Sequence, residues 1–479
     1  MMANNGGMDL KNKNAKTQFT IAVFIALAAF DNIIIGLFPP LFKFIAQDLN
    51  VDIAKLGIVS AVNIIVTAIS SVYWGYLSGK FKRKRLIIIG TLIWVTAVFL
   101  TAISKSYMQL ILFQMITGVG LGCIASIGFS ILTDFIHYEK RGTVLSLWGM
   151  AQGLGGITGS LLASLTATSH SWRWPFEIVG IIGFFLIFLY LFVEEPSRGQ
   201  SDPELLHLIK KGQAYDHFID AKQIRSILFK KSNVLLFLQA FFMNISTGSL
   251  IWIPTLFIFK IQQQGYSVET AMIASGYLYG IFQIGGMTSA YFGHLGDKFQ
   301  KKSYKGRAFF TAIFVFLTMP FYIVMFSIPM DHLILPHDHN AILILVYLIK
   351  QIFLNPWIAS LFVISFFASA AQSANTPNWL ALITDVNLPE HRGTAFSVAN
   401  LFNSLGRTIG NLGFGTLLGV ITVHYQEPNN YIMTLSFLEV FLIPSALCYL
   451  FMAKTNMSDI HNMKETLKIR SNKMEEQHE

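Results

Sequence analysis

The sequence predicts an all-α integral membrane protein whose twelve transmembrane helices form two pseudo-symmetric six-helix bundles. Three observations predict it: long apolar runs recur along the chain, basic residues keep to alternate loops, and two loop motifs each occur twice.

The apolar runs set the class. Of the 479 residues 53% are hydrophobic and 13% charged, with a mean hydropathy of +0.54, more apolar than a soluble domain of ordinary composition. Runs such as Phe19–Phe42, Leu86–Ala102, Ile178–Val193 and Tyr431–Met452 approach the roughly 20 residues that a membrane-spanning helix needs. The expected spans are 18–46, 54–78, 86–104, 108–136, 143–168, 175–194, 233–260, 268–295, 306–327, 356–385, 394–423 and 431–453. The first follows a polar stretch with Lys11, Lys13 and Lys16. It is too long for a signal-peptide core and lacks a clear cleavage site, so it is expected to remain as a span. Ala341–Leu354 is apolar but short and contains Lys350, which fits an interfacial or extended helix better than a thirteenth span.

Charge sets the orientation. With the N-terminus inside, the cytoplasmic loops receive Lys80–Arg85, Glu139–Arg141, the 195–232 linker, Asp297–Arg307, Glu390–Arg392 and the C-terminal tail, while Gln47–Asp52, Gln262–Tyr266 and Gln426–Asn430 fall outside. Basic residues concentrate on the first set. Both termini are therefore expected in the cytoplasm of a multi-pass plasma (inner) membrane protein acting as a monomer among membrane lipids. The net charge of +9 is spread over these short loops rather than one soluble face, so no nucleic-acid partner is expected. Cys123 and Cys448 lie within apolar segments and read as packing residues.

The domain organisation follows: a tail 1–17, a bundle 18–194, a linker 195–232, a second bundle 233–453 and a tail 454–479. The linker opens with Ser201–Asp202–Pro203–Glu204, helix-starting residues ahead of an amphipathic 205–209 stretch. It serves as a brace between the bundles or, the reading we favour, as a solvated tether with some helicity.

The repeats support the two-bundle scheme. GYLSGKFKRKR from Gly75 returns as GHLGDKFQKK from Gly293, 218 residues later. Thr133-Asp134 followed by Glu139-Lys140-Arg141-Gly142-Thr143 returns as Thr384-Asp385 followed by Glu390-His391-Arg392-Gly393-Thr394, 251 residues later. One insertion in 328–355 accounts for the difference. Each motif pairs equivalent cytoplasmic loops, as parallel repeats require. Gly75, Arg83, Asp134, Glu139, Arg141, Gly293, Asp297, Lys298, Asp385, Glu390 and Arg392 are thus candidates for a cytoplasmic gate, bracing helix ends with charged hydrogen bonds. They read equally as loop caps and positive-inside anchors.

Gly293–Lys298, with Lys301 and Lys302 after it, resembles the cytoplasmic signature of the major facilitator superfamily, and the resemblance extends over nearly the whole chain. In the first copy Gly79 stands where that family usually has aspartate, which implies that the second copy carries more of the brace. GSLIWIPTLF (Gly248–Phe257), Asn378-Trp379 and EEPSRG (Glu194–Gly199) resemble the Spinster branch, which moves lysolipids and sphingoid phosphates. That branch carries an Asp-Arg pair in the first span and a glutamate in the fourth, where this chain has Asp31-Asn32 and Gly120-Leu121-Gly122. Proton coupling by analogy is left open by that departure.

Ionisable residues deep in a span are costly and mark functional sites by default. Asp31 and Arg407 each lie about 12 residues into a span that enters from the cytoplasm, about 18 Å deep. They are candidates for a charge pair that works in the transport cycle or merely neutralises two buried charges. Asn32, Gln114, Gln239, Asn244, Thr247, Gln372, Asn375 and Asn378 offer uncharged hydrogen bonds to a substrate or to a neighbouring helix. Trp252 and Trp379 supply apolar wall. Trp172 and Trp174 read as an outer aromatic belt and Arg173 with Glu177 as a rim pair. The glycines of Gly118–Gly122 and Gly149–Gly159 allow close helix approach.

No nucleotide-binding, zinc-protease or catalytic-triad pattern is present, so no cofactor and no enzymatic activity are expected. The expected function is secondary active transport of a small amphipathic or anionic organic solute, such as a lysolipid, by alternating access, with a coupling proton as an open question. Proton-linked drug or metabolite export is the alternative within transport. A transport-dead membrane sensor, docking partners through the linker and C-terminal tail, is the alternative outside it.

Overall fold

The computed structural model describes residues 5–51, 53–136, 138–167, 171–193, 195–205, 217, 221–336 and 340–476; within these, side chains 5–17 and several others in the first and sixth helices, Asp31 among them, are not described. Among the described residues the chain is helical, without strands. In order the helices are α1 (Asn5–Leu49), α2 (Ile53–Ser78), α3 (Arg83–Ala102), α4 (Tyr107–Cys123), α5 (Phe129–Phe135), α6 (Arg141–Ala167), α7 (Trp174–Leu191), α8 (Ala221–Leu228), α9 (Lys231–Ser249), α10 (Ile253–Gln262), α11 (Val268–Gln283), α12 (Ser289–Lys302), α13 (Gly306–Ser327), α14 (Ala341–Leu354), α15 (Pro356–Ser373), α16 (Asn375–Val386), α17 (Arg392–Ile421), α18 (Asn429–Glu439) and α19 (Leu442–Glu476).

Nine spans among the described residues are long and apolar enough to cross a membrane. The other three expected spans are also helical. They are α6 and α17, rich in glycine and polar residues, and α11–α12, interrupted by a 3-10 turn at Ile284–Thr288. The 341–354 stretch is a separate short helix, begun by Asn340, whose side chain accepts from Ile342 and Leu343 N–H at 3.0 and 3.2 Å.

The chain divides into two units. Unit 1 comprises Met1–Asn233, Leu380–Leu401 and Met457–Glu479. Here α6 lies directly on α1: a Cβ on Gly155 or Gly159 would stand 2.1 Å from the Ala29 or Ile33 carbonyl oxygen. Gly118 and Gly122 meet α2 in the same way. The amide of Gln114 bonds to Asn63 (3.1 Å) and Thr101 (3.0 Å), tying α4 to α2 and α3. Trp172 is buried against Phe176, so of the expected belt only Trp174 is exposed. Arg173 pairs not with Glu177 but with Asp48, at 2.8 Å. It precedes the first turn of α7, and side chains there lean away from the helix that follows.

Unit 2 comprises Val234–Trp379 and Phe402–Asn456. Its helices are interrupted at two prolines. Between α9 and α10 a 3-10 turn, Leu250–Trp252, precedes Pro254; between α18 and α19, Val440 and Phe441 leave the helix ahead of Pro444. Each proline lacks the N–H that would continue the ladder and its ring opposes the carbonyl four residues back.

Candidate functional site: a buried charge network and a membrane-depth polar cluster

The linker-side ends of the helices in unit 1 hold a buried network of three arginines and three aspartates. Arg83 starts α3, Arg141 starts α6 and Arg392 starts α17, while Asp134 and Asp385 lie at the ends of α5 and α16. Arg392 Nη1 reaches Asp134 at 3.3 Å and Arg141 Nη1 reaches Asp385 at 3.0 Å. Each aspartate of one repeat is thus bonded to the arginine of the other.

The sixth member comes from the linker. Asp202 accepts from Arg141 Nη2 at 2.8 Å and from Arg392 Nη2 at 2.9 and 2.8 Å. Burial pushes its carboxyl up, but the Arg392 and Arg141 guanidiniums overcome this and hold it below the ordinary carboxylate range. Neighbouring Ser201 donates to the Thr133 carbonyl at 3.0 Å. The start of the linker is therefore a brace, contrary to the tether we favoured. Of the expected linker helix the described residues show a 3-10 turn at Pro203–Leu205; residues 206–209 lie outside them.

Arg83 completes the network, with Asp134 at 2.5 Å, Glu195 at 3.3 Å and the Pro196 carbonyl at 3.0 Å. Beside it the motif glycines of the two repeats face each other. A Cβ on Gly75 would stand 3.0 Å from the Gly393 carbonyl oxygen and 2.7 Å from Ser397 Oγ. In the second copy of the first motif, Asp297 pairs with Arg307 at 2.7 Å in unit 2. Gly293 is buried nearby, while Lys298 is exposed and Glu139 half-buried.

The C-terminal helix closes over this region. Met463 and Leu467 are buried against Leu205, with Leu388 and Met474 packed on the cluster. Arg470 bonds to Glu390 at 2.6 Å, Lys464 to Glu204 at 3.4 Å, and Asp459 accepts from the Ser232 N–H at 3.2 Å. The signal was in the sequence: Ile460, Met463, Leu467, Ser471 and Met474 recur at helical spacing and are buried or half-buried.

The expected membrane-depth residues divide in unit 2. Arg407 is exposed and donates Nη2 to Asn244 Oδ1 at 3.5 Å; Asn244 in turn bonds to Asn403 at 2.6 Å and Thr247 at 3.4 Å. Beside this cluster Phe402 stacks on Phe237 and meets Phe241 edge-to-face, ring centroids 5.7 and 6.5 Å apart. Other candidates use their polar groups between helices. Gln239 bonds to Asn375 at 2.9 Å, Asn378 to the Phe292 carbonyl at 3.3 Å, Trp379 to the Leu236 carbonyl at 3.3 Å and Trp252 to Asn411 at 3.0 Å. Gln372 accepts from the Tyr322 hydroxyl. Asn32 is half-buried in α1, whereas the Asp31 side chain, and with it the expected Asp31–Arg407 pair, lies outside the described residues.

One carboxyl escaped the sequence reading. Glu439, fully buried at the end of α18, bonds to Ser246 Oγ at 2.6 Å. It is the one charged residue of the Tyr431–Met452 run, and the rule that drew attention to Asp31 and Arg407 applies to it equally. Among the described residues no group of three His, Cys, Asp or Glu side chains is placed to hold a metal ion.

These features define a class: a polytopic all-α membrane protein of two repeats whose equivalent loops meet in a shared charge network. The chain belongs to the Major Facilitator Superfamily, whose family model matches residues 20–349. It is 30% identical over 184 residues to Multidrug resistance protein 3 of Bacillus subtilis, covering 37% of this chain and 35% of that protein. It is 26% identical over 237 residues to the sphingosine-1-phosphate transporter SPNS2 of Xenopus tropicalis, covering 48% and 43%. The chain therefore matches well under half the length of these relatives. A crystal structure of a bacterial homolog of the human lysosomal transporter Spinster, inward-facing and unoccupied, shares the fold with a TM-score of 0.55 at 18% identity, covering 93% of this chain and 98% of that one.

Proposed function

We propose that this chain is a secondary transporter that moves a small amphipathic or anionic organic solute, lysolipid-like in character, by alternating access. The observation that carries the reading is the crosswise pairing of Asp134 with Arg392 and of Asp385 with Arg141. Buried, charge-assisted bonds between equivalent ends of two repeats form a latch that exists or does not, as a two-state gate requires. In this reading the linker side is cytoplasmic, the bundles 18–194 and 233–453 rock about a mid-membrane site, and the chain works as a monomer in the plasma membrane.

Arg407 supports the substrate class. An exposed guanidinium beside Asn244, Asn403 and an aromatic shelf offers bidentate bonds to an anionic head and apolar surface to a tail. Likeness to SPNS2 supports the same class. The likeness to Multidrug resistance protein 3 favours a second reading, export of a drug or metabolite.

Liposomes reconstituted with the full chain and offered lysophospholipids and small organic anions, with and without a pH gradient, test both. Uptake of an anionic amphiphile is expected to fall in Arg407→Ala by the factor of about 10–150 that loss of a charged hydrogen bond of about 1.5–3 kcal/mol implies. Equal uptake by the variant removes Arg407 from the substrate site, and preference for cationic drugs favours the second reading.

A further inference from the structure

Glu439 is placed unlike any other carboxyl described in unit 2. Its side chain is wholly buried, and Oε2 is bonded to the Ser246 hydroxyl at 2.6 Å. Oε1 makes no hydrogen bond, and no Lys, Arg or His nitrogen among the described residues forms an ion pair with it. An ionised carboxylate shielded from water with one hydroxyl donor is strongly disfavoured. Such a site favours the neutral acid, which gives up its proton when its surroundings change.

Those surroundings are built to change. Glu439 is the last residue of α18, where the helix breaks before Pro444, and Ser246 lies one turn before the break between α9 and α10. The single bond between them therefore joins two helix interruptions, and non-helical backbone at membrane depth marks ion and substrate paths. The titratable groups facing the carboxyl lie on other helices. Helix α13, which carries the buried Tyr322 phenol, packs against α18, and Tyr322 and Tyr279 of α11 each pack on Phe282, ring centroids 5.9 and 5.8 Å away. Tyr322 now donates its hydroxyl to Gln372 Oε1 of α15.

We propose that Glu439 is the coupling-proton site of this transporter, taking up and releasing one proton per cycle. Release breaks the carboxyl O–H bond; the proton leaves to water, and the Ser246 hydroxyl donates to the carboxylate left behind. An anionic solute at Arg407 and a carboxylate at Glu439 carry like charge, and their repulsion links solute binding to protonation.

The inference rests on the transport reading, and its tests separate the two. The full chain in liposomes is treated with dicyclohexylcarbodiimide, which modifies protonated carboxyls in apolar surroundings, and the peptide carrying Glu439 is analysed by mass spectrometry. Modification is expected at Glu439 and is expected to decline as pH rises; an unmodified Glu439, or labelling independent of pH, overturns the proposal whether or not solute moves. In transport, a gradient of one pH unit driving one proton supports about a tenfold solute ratio across the membrane. Glu439→Gln, with a melting temperature like the wild type, is expected to give no gradient-driven ratio while still exchanging labelled for unlabelled solute at equal pH. A variant that keeps the gradient-driven ratio, or that is stable but loses exchange as well, overturns the proposal. A wild-type chain that moves no offered solute counts against the transport reading, and the labelling result still decides the protonation of Glu439.

Discussion

Replacing Asp202 by asparagine tests whether the linker locks the network. The substitution keeps the shape of the side chain and removes the charge that accepts from Arg141 at 2.8 Å and from Arg392 at 2.9 and 2.8 Å. Arg141 retains Asp385 at 3.0 Å and Arg392 retains Asp134 at 3.3 Å, so the arginines stay paired, but three guanidiniums then share two buried aspartates and the partly exposed Glu195, which reaches Arg83 and neither of the others. All six side chains are less than a tenth exposed, so solvent screens little of the excess charge. Breaking one partner out of such a buried arrangement costs about 3–5 kcal/mol. At about 1.36 kcal/mol per factor of ten, the lower figure shifts the latch toward its open form by about 150-fold. The assay is the reactivity of a thiol at Ser397, wholly buried beside Gly75, in a chain whose buried Cys123 and Cys448 are replaced by alanine. Maleimide modification of Ser397→Cys is expected to accelerate by about two orders of magnitude when Asp202→Asn is added. A rate within about twofold of the control, with thermal stability unchanged, would refute the argument, since a buried charge cannot be left over at no cost.

Docking of the C-terminal helix is expected to weaken in acid. Burial first, then Lys230 and Arg470, hold the His391 imidazole down to about 4 against the pull of Glu390, while the undocked ring returns to about 6.5. The undocked state thus binds the extra proton between these values, and docking loses up to about 1.4 kcal/mol per pH unit as pH falls from 6.5 toward 4. Glu390, held below its ordinary range by His391 and Arg470 despite burial, adds a further loss only as pH falls below about 4.5. A spin label on the tail should register this release, and His391→Gln should abolish its upper part. Gly159→Ala is expected to lower the melting temperature in detergent, because the new Cβ would stand 2.1 Å from the Ile33 carbonyl oxygen and overpacking costs about 1–3 kcal/mol. Gly156→Ala, with nothing within 4 Å of its Cβ, should be close to neutral.

Much of this molecule was legible because membranes impose simple rules. Span length, loop charge and the doubled motifs gave the helices and paired Asp134 with Asp385 and Arg141 with Arg392 by position. They could not say that the pairs cross between repeats, since a repeat tells which residues are equivalent but not which equivalents touch. Asp202 was read as a capping residue because local sequence shows its neighbours in the chain, whereas its partners lie 61 and 190 residues away. The amides divided for a similar reason. Asn244 and Asn378 look alike in sequence, yet Asn244 bonds to Asn403 beside exposed Arg407 while Asn378 bonds to backbone between α12 and α16.

The place of Asp202 follows from what the first repeat lacks. In the second repeat Arg307, at the start of α13, has the aspartate of its own motif, Asp297, at 2.7 Å. Arg83 stands at the corresponding start of α3, but its motif carries Gly79 where the aspartate would be. It takes Asp134 instead, at 2.5 Å. Asp134 must then serve two guanidiniums, and its bond to Arg392 is the longer one at 3.3 Å. Arg392 is left short of an acceptor while wholly buried, where an under-bonded guanidinium is costly. The linker carboxylate makes up the deficit, at 2.8 and 2.9 Å, and in doing so also takes the second arm of Arg141. We had expected the missing aspartate to move the latch to the second repeat. In its absence the linker enters the latch, so that a segment outside both bundles supplies the carboxylate that Arg141 and Arg392 share.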